Sequence, residues 1–343
     1  MKNSPIERVI ERVGDLPAMP TIVHEALRLT DDPNAGMHDI DLVLQRDPAL
    51  AARLLRVSNS PYYGMRQYVG TLKLALVVLG IREIRNIILG VTVFDALRDD
   101  KTEQLFLRDF WPHSLMTGGV AARLAERFPL GLKSEAFLAG LLHDIGKLLL
   151  ARCLPQQYLP MYEQAATGSE PIQAIERDTF GFTHADAAAA LARHWSFPAA
   201  LSDAISLHHA RATRPLSTAA DPPLAAITRL ANCIVNHDFA VGKDSDLLRT
   251  DQSEEAWSLL QANQRQLSRE ERNALFADLK ITVMELPKLA FWAYPSPSLS
   301  ITKALVVYFC PSATSRGSSR RYHRKYNPTR PTTKNGKVAK NEP

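Results

Sequence analysis

The sequence predicts an all-α fold built from two helical lobes. Apolar residues recur at spacings of three and four from the N-terminus to about residue 286, as expected of helices that bury one face. Pro, Gly, Asn and Asp mark the turns between these segments, and no alternating β-strand pattern of useful length occurs before residue 300. We therefore expect an N-terminal helical bundle over residues 16–104, a second lobe over 105–213 and a helical continuation over 214–286.

The N-terminal part predicts six helices. Asp47 is a favourable N-cap residue, and Pro48 suits the first helical position because it has no backbone N–H to leave unpaired. Arg82 and Arg85 lie on the last of these helices, where we interpret them as solvent-facing charges in preference to a phosphate-binding face. The predicted helices cover residues 5–13, 21–30, 38–45, 48–57, 71–80 and 81–98.

The second lobe predicts a longer series of helices. Thr183 with Asp186 three residues later forms an Asp variant of the capping box, which starts one of them. The stretch FLAGLLHDIGKLLL, residues 137–150, is read as one continuous apolar helix. Further helices are expected over residues 111–128, 151–167, around 172–175, from 184, from 198 and from 222.

Charge and cysteine content describe an ordinary soluble composition. The net charge of +5 comes from residues 287–343, which carry 11 Lys and Arg against Glu342 alone, so the remainder is near −5. Cys153, Cys233 and Cys310 are scattered and show no metal-chelating or disulfide spacing. With no signal peptide and no apolar run of membrane length, we expect a cytoplasmic protein without membrane association.

His143 and Asp144 stand in the centre of an apolar segment, and a buried carboxylate needs a compensating partner. The pair could be a hydrogen-bonded core pair, or a metal ion could supply the compensation. His184 shares a helical face with Ala188, Leu191 and Trp195, so it should point into the same core. The candidate ligands in this lobe are His113, His143, Asp144, His184, His208 and His209.

The order of motifs in the chain is similar to that of the HDOD (HD-related output domain) family, a degenerate branch of the HD superfamily of metal-dependent phosphohydrolases. The resemblance spans roughly residues 16–213 and is carried by LPxMP, RDPALxARLLRxxNSxxYG, LxxALVxLGIRExRN, FWxHS, FLAGLLHDIGKLLL, THADxAAxLxxxWxFP and a final HH. It implies a two-lobed all-helical fold in a bacterial signalling protein. The implied role is mostly non-catalytic, through contact with other signalling proteins.

The hydrolase pattern implies divalent-metal ligation by a first His, the HD pair and a distant Asp, with additional histidines for a second metal. Here Asn232 stands where the last Asp is expected, so one anionic ligand is lost. The implied cofactor is one or two divalent ions, Fe, Mn or Zn, held by His113, His143 and Asp144. His184, His208 and His209 are then candidates for a second metal or for supporting contacts.

Three interpretations of this cluster remain open: live metal ligands, a metal-free hydrogen-bond network, or a metal site without turnover. Lys147 would face a substrate phosphate in an active hydrolase, but we favour a side chain that extends to solvent. The function hypothesis is regulation through protein contact, with a metal or a small nucleotide ligand in the HD cavity as its gate. The alternative is a metal-dependent phosphohydrolase acting on a nucleotide or another phosphate ester.

The segment 287–343 is predicted to be a basic disordered tail. Its Arg and Lys residues alternate with Tyr322 and Tyr326, a composition that can bind single-stranded nucleic acid through phosphate attraction and stacking. A solvated tail with no such role is the interpretation that we prefer. Nucleic acid is therefore not expected as a partner.

Overall fold

A computed structural model describes the chain from residue 5 to residue 279 with gaps. The described residues are 5–14, 16–60, 62–97, 102, 105, 110–128, 130–167, 170–209, 214–237, 251–262, 267–268, 270–271, 274–275 and 277–279. They belong to one unit, Met1–Pro295. The predicted tail over 287–343 and the last part of the continuation to 286 lie outside the described residues, as does Cys310.

Six helices form the N-terminal part of the described chain, and their order follows the prediction. Asp47 caps the fourth helix through its carboxylate, which accepts hydrogen bonds from the backbone N–H groups of Ala49 at 3.0 Å and Leu50 at 2.9 Å. Arg85 pairs with Asp31 at 2.7 Å. The helices are α1 (Pro5–Val13), α2 (Thr21–Asp31), α3 (Met37–Leu44), α4 (Pro48–Ser58), α5 (Leu72–Leu79) and α6 (Ile81–Leu97).

In the remaining described residues, nine further helices have defined bounds. Thr183 and Asp186 form the predicted capping box at the start of the helix that carries His184. A short 3₁₀ turn, Leu216–Thr218, stands between two of these helices. The helices are α7 (Trp111–Arg127), α8 (Lys133–Leu142), α9 (Ile145–Cys153), α10 (Pro155–Thr167), α11 (Ile172–Phe180), α12 (His184–His194), α13 (Ala199–Ser206), α14 (Pro222–His237) and α15 (Asp251–Gln261). The described residues contain helices and turns but no strand, which confirms the all-α fold.

The helices enclose two hydrophobic clusters. The first is formed by buried residues of α2 to α6, and the second by residues from Leu89 of α6 to Leu279, together with Val9 of α1. Helix α6 belongs to both, because Ile84 and Ile88 face the first cluster while Val93 and Phe94 face the second. The stretch from Ile87 to Phe94 is buried on all sides, so the middle of one helix can contribute to both clusters. The predicted boundary at residues 104 and 105 falls where few residues are described, and it stays a prediction.

The continuous helix predicted over residues 137–150 is wrong. The chain leaves α8 at Leu142, turns at His143 and Asp144, and begins α9 at Ile145. The apolar pattern conceals this break because both helices are buried in the same cluster. The next predicted helix also begins later than expected, at Pro155, because α9 continues to Cys153.

Two glycines allow the helices around this turn to approach closely. A Cβ atom on Gly140 of α8 would lie 2.8 Å from the Cα of Gly118 in α7. A Cβ atom on Gly146 of α9 would lie 1.8 Å from the carbonyl oxygen of His184 and 2.9 Å from the backbone N of Ala188. Both latter atoms belong to α12, so only glycine permits this contact between α9 and α12.

None of the helices in the described part of the chain combines the length and the apolarity needed to cross a membrane.

We expect Gly146→Ala to lower the free energy of unfolding by about 3 kcal/mol, because the added methyl group forces α9 away from α12. Urea unfolding followed by circular dichroism measures the change. Gly90→Ala is the matched control, since its Cβ would meet only Leu138 and Leu141 side-chain atoms at 3.6 Å. The close helix contact would be refuted if Gly146→Ala were as stable as the control.

Candidate metal centre

The carboxylate of Asp144 is the centre of the candidate site. Asp144 is 2 % exposed and lies in the turn between α8 and α9, where its backbone no longer follows the helix. Its oxygen Oδ1 lies 3.2 Å from His184 Nε2 and 3.4 Å from His208 Nε2. Its oxygen Oδ2 lies 3.3 Å from His143 Nε2 and 3.5 Å from His113 Nε2. The helix break therefore places one carboxylate between two groups of histidines.

The first ligand group is formed by Asp144, His184, His208 and His209, whose ligand atoms all lie within 4.8 Å of one another. His184 comes from the first turn of α12, and His208 and His209 follow the end of α13. The Nε2 atom of His184 is 3.3 Å from that of His208 and 3.1 Å from that of His209. Helical spacing predicted that His184 faces inward, and it is fully buried.

The other ring nitrogens of two of these histidines are already engaged. His208 Nδ1 donates to the carbonyl of Ile205 at 2.6 Å, and His184 Nδ1 lies 2.7 Å from the carboxylate of Glu176. A neutral imidazole carries one proton, so a proton on Nδ1 leaves a lone pair on Nε2. When both rings are neutral, two such lone pairs face each other and Asp144 Oδ1, and these atoms repel one another unless a proton or a metal ion lies between them. A cation held between these atoms would turn this repulsion into attraction.

The ligand atoms of the first group fit a divalent metal ion. Atoms that surround one ion at roughly 2.1 Å are about 3.0–3.4 Å apart, which matches the four separations given above for Asp144, His184, His208 and His209. Asp144 Oδ1 and His209 Nδ1 are both buried, and within the described part of the chain neither has a partner at good hydrogen-bond geometry. Imidazole and carboxylate together suit Zn, Fe or Mn. A bound ion would supply Lewis acidity and would lower the pKa of a coordinated water.

The second ligand group, His113, His143 and Asp144, has a competing cation. The Nε2 atoms of His113 and His143 are 3.1 Å apart, and His143 Nδ1 donates to the carbonyl of Gly140 at 2.7 Å. Lys147 did not meet the expectation of a side chain directed to solvent: its Nζ atom lies 2.6 Å from Asp144 Oδ2. Asn232 belongs to α14, and its Oδ1 accepts from Asn236 Nδ2 at 2.8 Å.

The electrostatics of the site keep most of the candidate ligands in the form that binds metal. Burial, and after it the neighbouring His143, lowers the pKa of His113 to about 3. Burial is also the main cause that lowers the pKa of His208 to about 3. Burial and neighbouring histidines bring the pKa of His209 well below its usual value. Burial alone would raise the pKa of Asp144, but its interactions with His143 and Lys147 lower it well below its usual value, so the carboxylate is ionised.

His184 behaves differently from the other ring groups. Burial alone would lower its pKa, but Glu176 outweighs burial and raises it. A proton on Nε2 therefore competes with a cation for the same position, and metal binding at this group should weaken as the pH falls.

Sequence reasoning missed Glu176, the residue that orients His184. Its carboxylate is fully buried and accepts hydrogen bonds from the backbone N–H of His184 at 2.8 Å and from the hydroxyl of Tyr158 at 2.8 Å. A carboxylate that orients a histidine in this way is a frequent partner of metal ligands. The signal was present in the sequence, because Glu176 follows Ile172 and Ile175 at the spacing of one helix face.

The fold and the His–Asp cluster define an all-α protein with an HD-type centre, and comparisons with known proteins agree. The profile of the HDOD domain matches residues 16–211. The chain therefore belongs to the HDOD domain family. An uncharacterized protein of Treponema pallidum (strain Nichols) is 27 % identical over 204 residues, which is 59 % of this chain and 39 % of the relative. The match thus spans well under half of that relative's length.

Two solved structures share the fold. A Geobacter sulfurreducens HDOD domain protein of unknown function has a TM-score of 0.69 and 21 % identity, with 85 % of this chain and 98 % of that chain covered. A Shewanella amazonensis SB2B protein, described as a candidate phosphohydrolase, has a TM-score of 0.61 and 26 % identity over 82 % of this chain and 98 % of its own.

We expect the purified protein to bind one divalent ion in the first ligand group, and His184→Ala to lose it. Glu176→Gln should weaken binding by about tenfold to a hundredfold, because the carboxylate that orients His184 loses its charge. Competition with a chelator, together with elemental analysis, measures both changes. His24→Ala, an exposed histidine of α2, is the control and should leave binding unchanged. Equal metal content in His184→Ala and the unmutated protein would contradict this assignment.

Proposed function

We propose that this chain is a bacterial signal-transduction protein that acts by contacting other signalling proteins, and that its HD centre holds a metal ion for structure. The observation that carries the proposal is the ion pair between Lys147 and Asp144 Oδ2, 2.6 Å long, in the second ligand group. The ammonium group occupies the position beside Asp144 Oδ2 where a hydrolase would bind a second metal ion. The chain thus keeps a buried centre without the charge that phosphoester cleavage by two metal ions requires.

The charge of the two ligand groups supports this proposal. They share one carboxylate, that of Asp144, and their other members are histidines. Lys147 neutralises that carboxylate, and Asn232 contributes an amide where the hydrolase pattern has an anion. A second divalent ion would therefore enter a group without net negative charge, at a high desolvation cost. The first group offers four protein ligands, which is the closed arrangement typical of structural metal sites.

The distribution of exposed apolar side chains supports protein contact as the output. Among the described residues, seven large hydrophobic side chains are exposed, and six of them lie between Met37 and Val78. Leu74, Val77 and Val78 share one face of α5 at helical spacing, and Val77 is 62 % exposed. Apolar helix faces of this kind mark surfaces that bind other proteins. The proposed contact surface therefore lies among the helices around the first hydrophobic cluster, whereas the metal centre lies in the second.

A metal-dependent phosphohydrolase acting on a nucleotide or another phosphate ester is the second candidate. Its support is the second ligand group itself, because His113 of this group and the neighbouring Lys147 are partly accessible, with 20 % and 18 % of their side chains exposed. A phosphate could approach the centre from this side. The Shewanella amazonensis relative, described as a candidate phosphohydrolase, is consistent with this alternative.

We expect no turnover of nucleotides or aryl phosphate esters by the metal-loaded protein above the level of His143→Ala. The double variant Lys147→Met with Asn232→Asp should bind a second ion, because it removes the competing cation and adds an anionic ligand. Phosphate release and elemental analysis measure the two quantities. Turnover that is saturable in the unmutated protein and lost in His143→Ala would establish the hydrolase instead.

We expect a photo-crosslinking residue at Val77 to capture a discrete partner protein in cells that naturally contain this chain, because Val77 is the most exposed residue of the α5 face. The same residue at Gln156, an exposed position of α10, is the control. Mass spectrometry identifies the adducts, and Leu74→Asp should abolish the one formed at Val77. Identical adducts from both positions would argue against α5 as the contact surface.

A further inference from the structure

Arg229 of α14 is a buried arginine beside the metal centre. Its side chain has no exposed area, and its guanidinium donates Nε to the carbonyl of Leu207 at 2.8 Å and Nη2 to the carbonyl of His209 at 3.3 Å. The third group, Nη1, lies 2.5 Å from Oε2 of Glu255. One guanidinium thus holds the two carbonyl groups that flank His208.

The position of these carbonyls explains why a cation is useful there. Helix α13 ends at Ser206, and the carbonyls after a helix end have no partner within the helix. The C-terminal end of a helix also carries a partial negative charge, and a guanidinium group near it stabilises the helix. His208 Nδ1 already donates to the carbonyl of Ile205. Arg229 therefore fixes the backbone of His208 and His209, while Ile205 fixes the ring of His208.

Glu255 of α15 in turn holds Arg229. Its second oxygen, Oε1, accepts a hydrogen bond from the backbone N–H of Leu216 at 2.6 Å. The carboxylate thus connects α15 with the turn Leu216–Thr218 and with α14. Both Arg229 and Glu255 lie beyond residue 211, where the match to the HDOD domain ends.

We propose that Arg229, oriented by Glu255, is a positioning residue for His208 and His209, so that α14 and α15 complete the metal centre. This inference rests on the proposed metal site for its effect on affinity, but not for its effect on the backbone. Without the guanidinium, the segment after α13 loses two hydrogen bonds and the Nε2 atoms of both histidines lose their common orientation. The helices α14 and α15, which follow the residues matched by the HDOD domain, are then part of the metal centre.

The test uses the full chain with Glu255→Gln, because the Glu255 side chain is 38 % exposed and glutamine keeps its size while it removes its charge. In metal-free protein, hydrogen–deuterium exchange over residues 203–209 should become several-fold faster, whereas exchange in α12 should not change. Zinc affinity, measured against a chelator, should fall about tenfold. Glu255→Asp should restore both quantities in part, since it restores the charge.

Asp278→Asn is the matched control. It removes a carboxylate from the same C-terminal part of the chain, one that binds Arg123 at 2.7 Å instead of Arg229. Unchanged exchange over residues 203–209 in Glu255→Gln would overturn the proposal, as would an equal acceleration throughout the protein. Absence of zinc binding in the unmutated chain would refute the metal centre, and the exchange comparison would still decide the role of Arg229 and Glu255.

Discussion

The buried carboxylate of Asp144 is the constraint on which the rest of this structure depends. An ionised carboxylate in an apolar helical core is unstable unless cations or hydrogen bonds surround it. In this chain the surrounding groups come from α7, α9 and α12 and from the turns that follow α8 and α13, and all of them must lie within reach of one side chain. The break between α8 and α9 serves this purpose, because it turns Asp144 towards both groups of histidines. Core packing alone gives no reason to interrupt an apolar helix at this point.

The histidines around Asp144 are themselves held in place by residues that do not contact Asp144. His184 is held by Glu176, the segment of His208 and His209 is held by Arg229, and α9 reaches α12 because Gly146 has no side chain. Each of these interactions joins elements that are distant in the sequence. A metal ion in the first group would add to a framework that these contacts already define. Preorganised ligands of this kind lose little entropy on binding.

The sequence predicted the helices, several caps and the residues of the centre, because these depend on local patterns. The capping box of Thr183 and the inward face of His184 follow from spacing alone. The break at His143 and Asp144 could not be predicted, since the apolar pattern continues through it without a glycine or proline at the turn itself. Arg229 and Glu255 could not be identified either, because a charged residue on a helix is normally assigned to the surface. Apart from each other, their partners are backbone carbonyls and a backbone amide, which leave no signature in side-chain patterns.

The position of Lys147 favours the regulatory proposal over the hydrolase, because an ammonium group and a divalent ion compete for the same carboxylate oxygen. A carboxylate shared by two ions carries one negative charge against four positive charges, so a hydrolase of this kind needs the additional anion that Asn232 does not provide. A lysine at 2.6 Å from Asp144 satisfies that oxygen with a single charge and without a coordinated water. Under the regulatory proposal, the centre keeps its structure but no longer supports phosphoester hydrolysis. The exposed face of α5 lies on helices that the centre does not use, so this loss would leave the proposed contact surface intact.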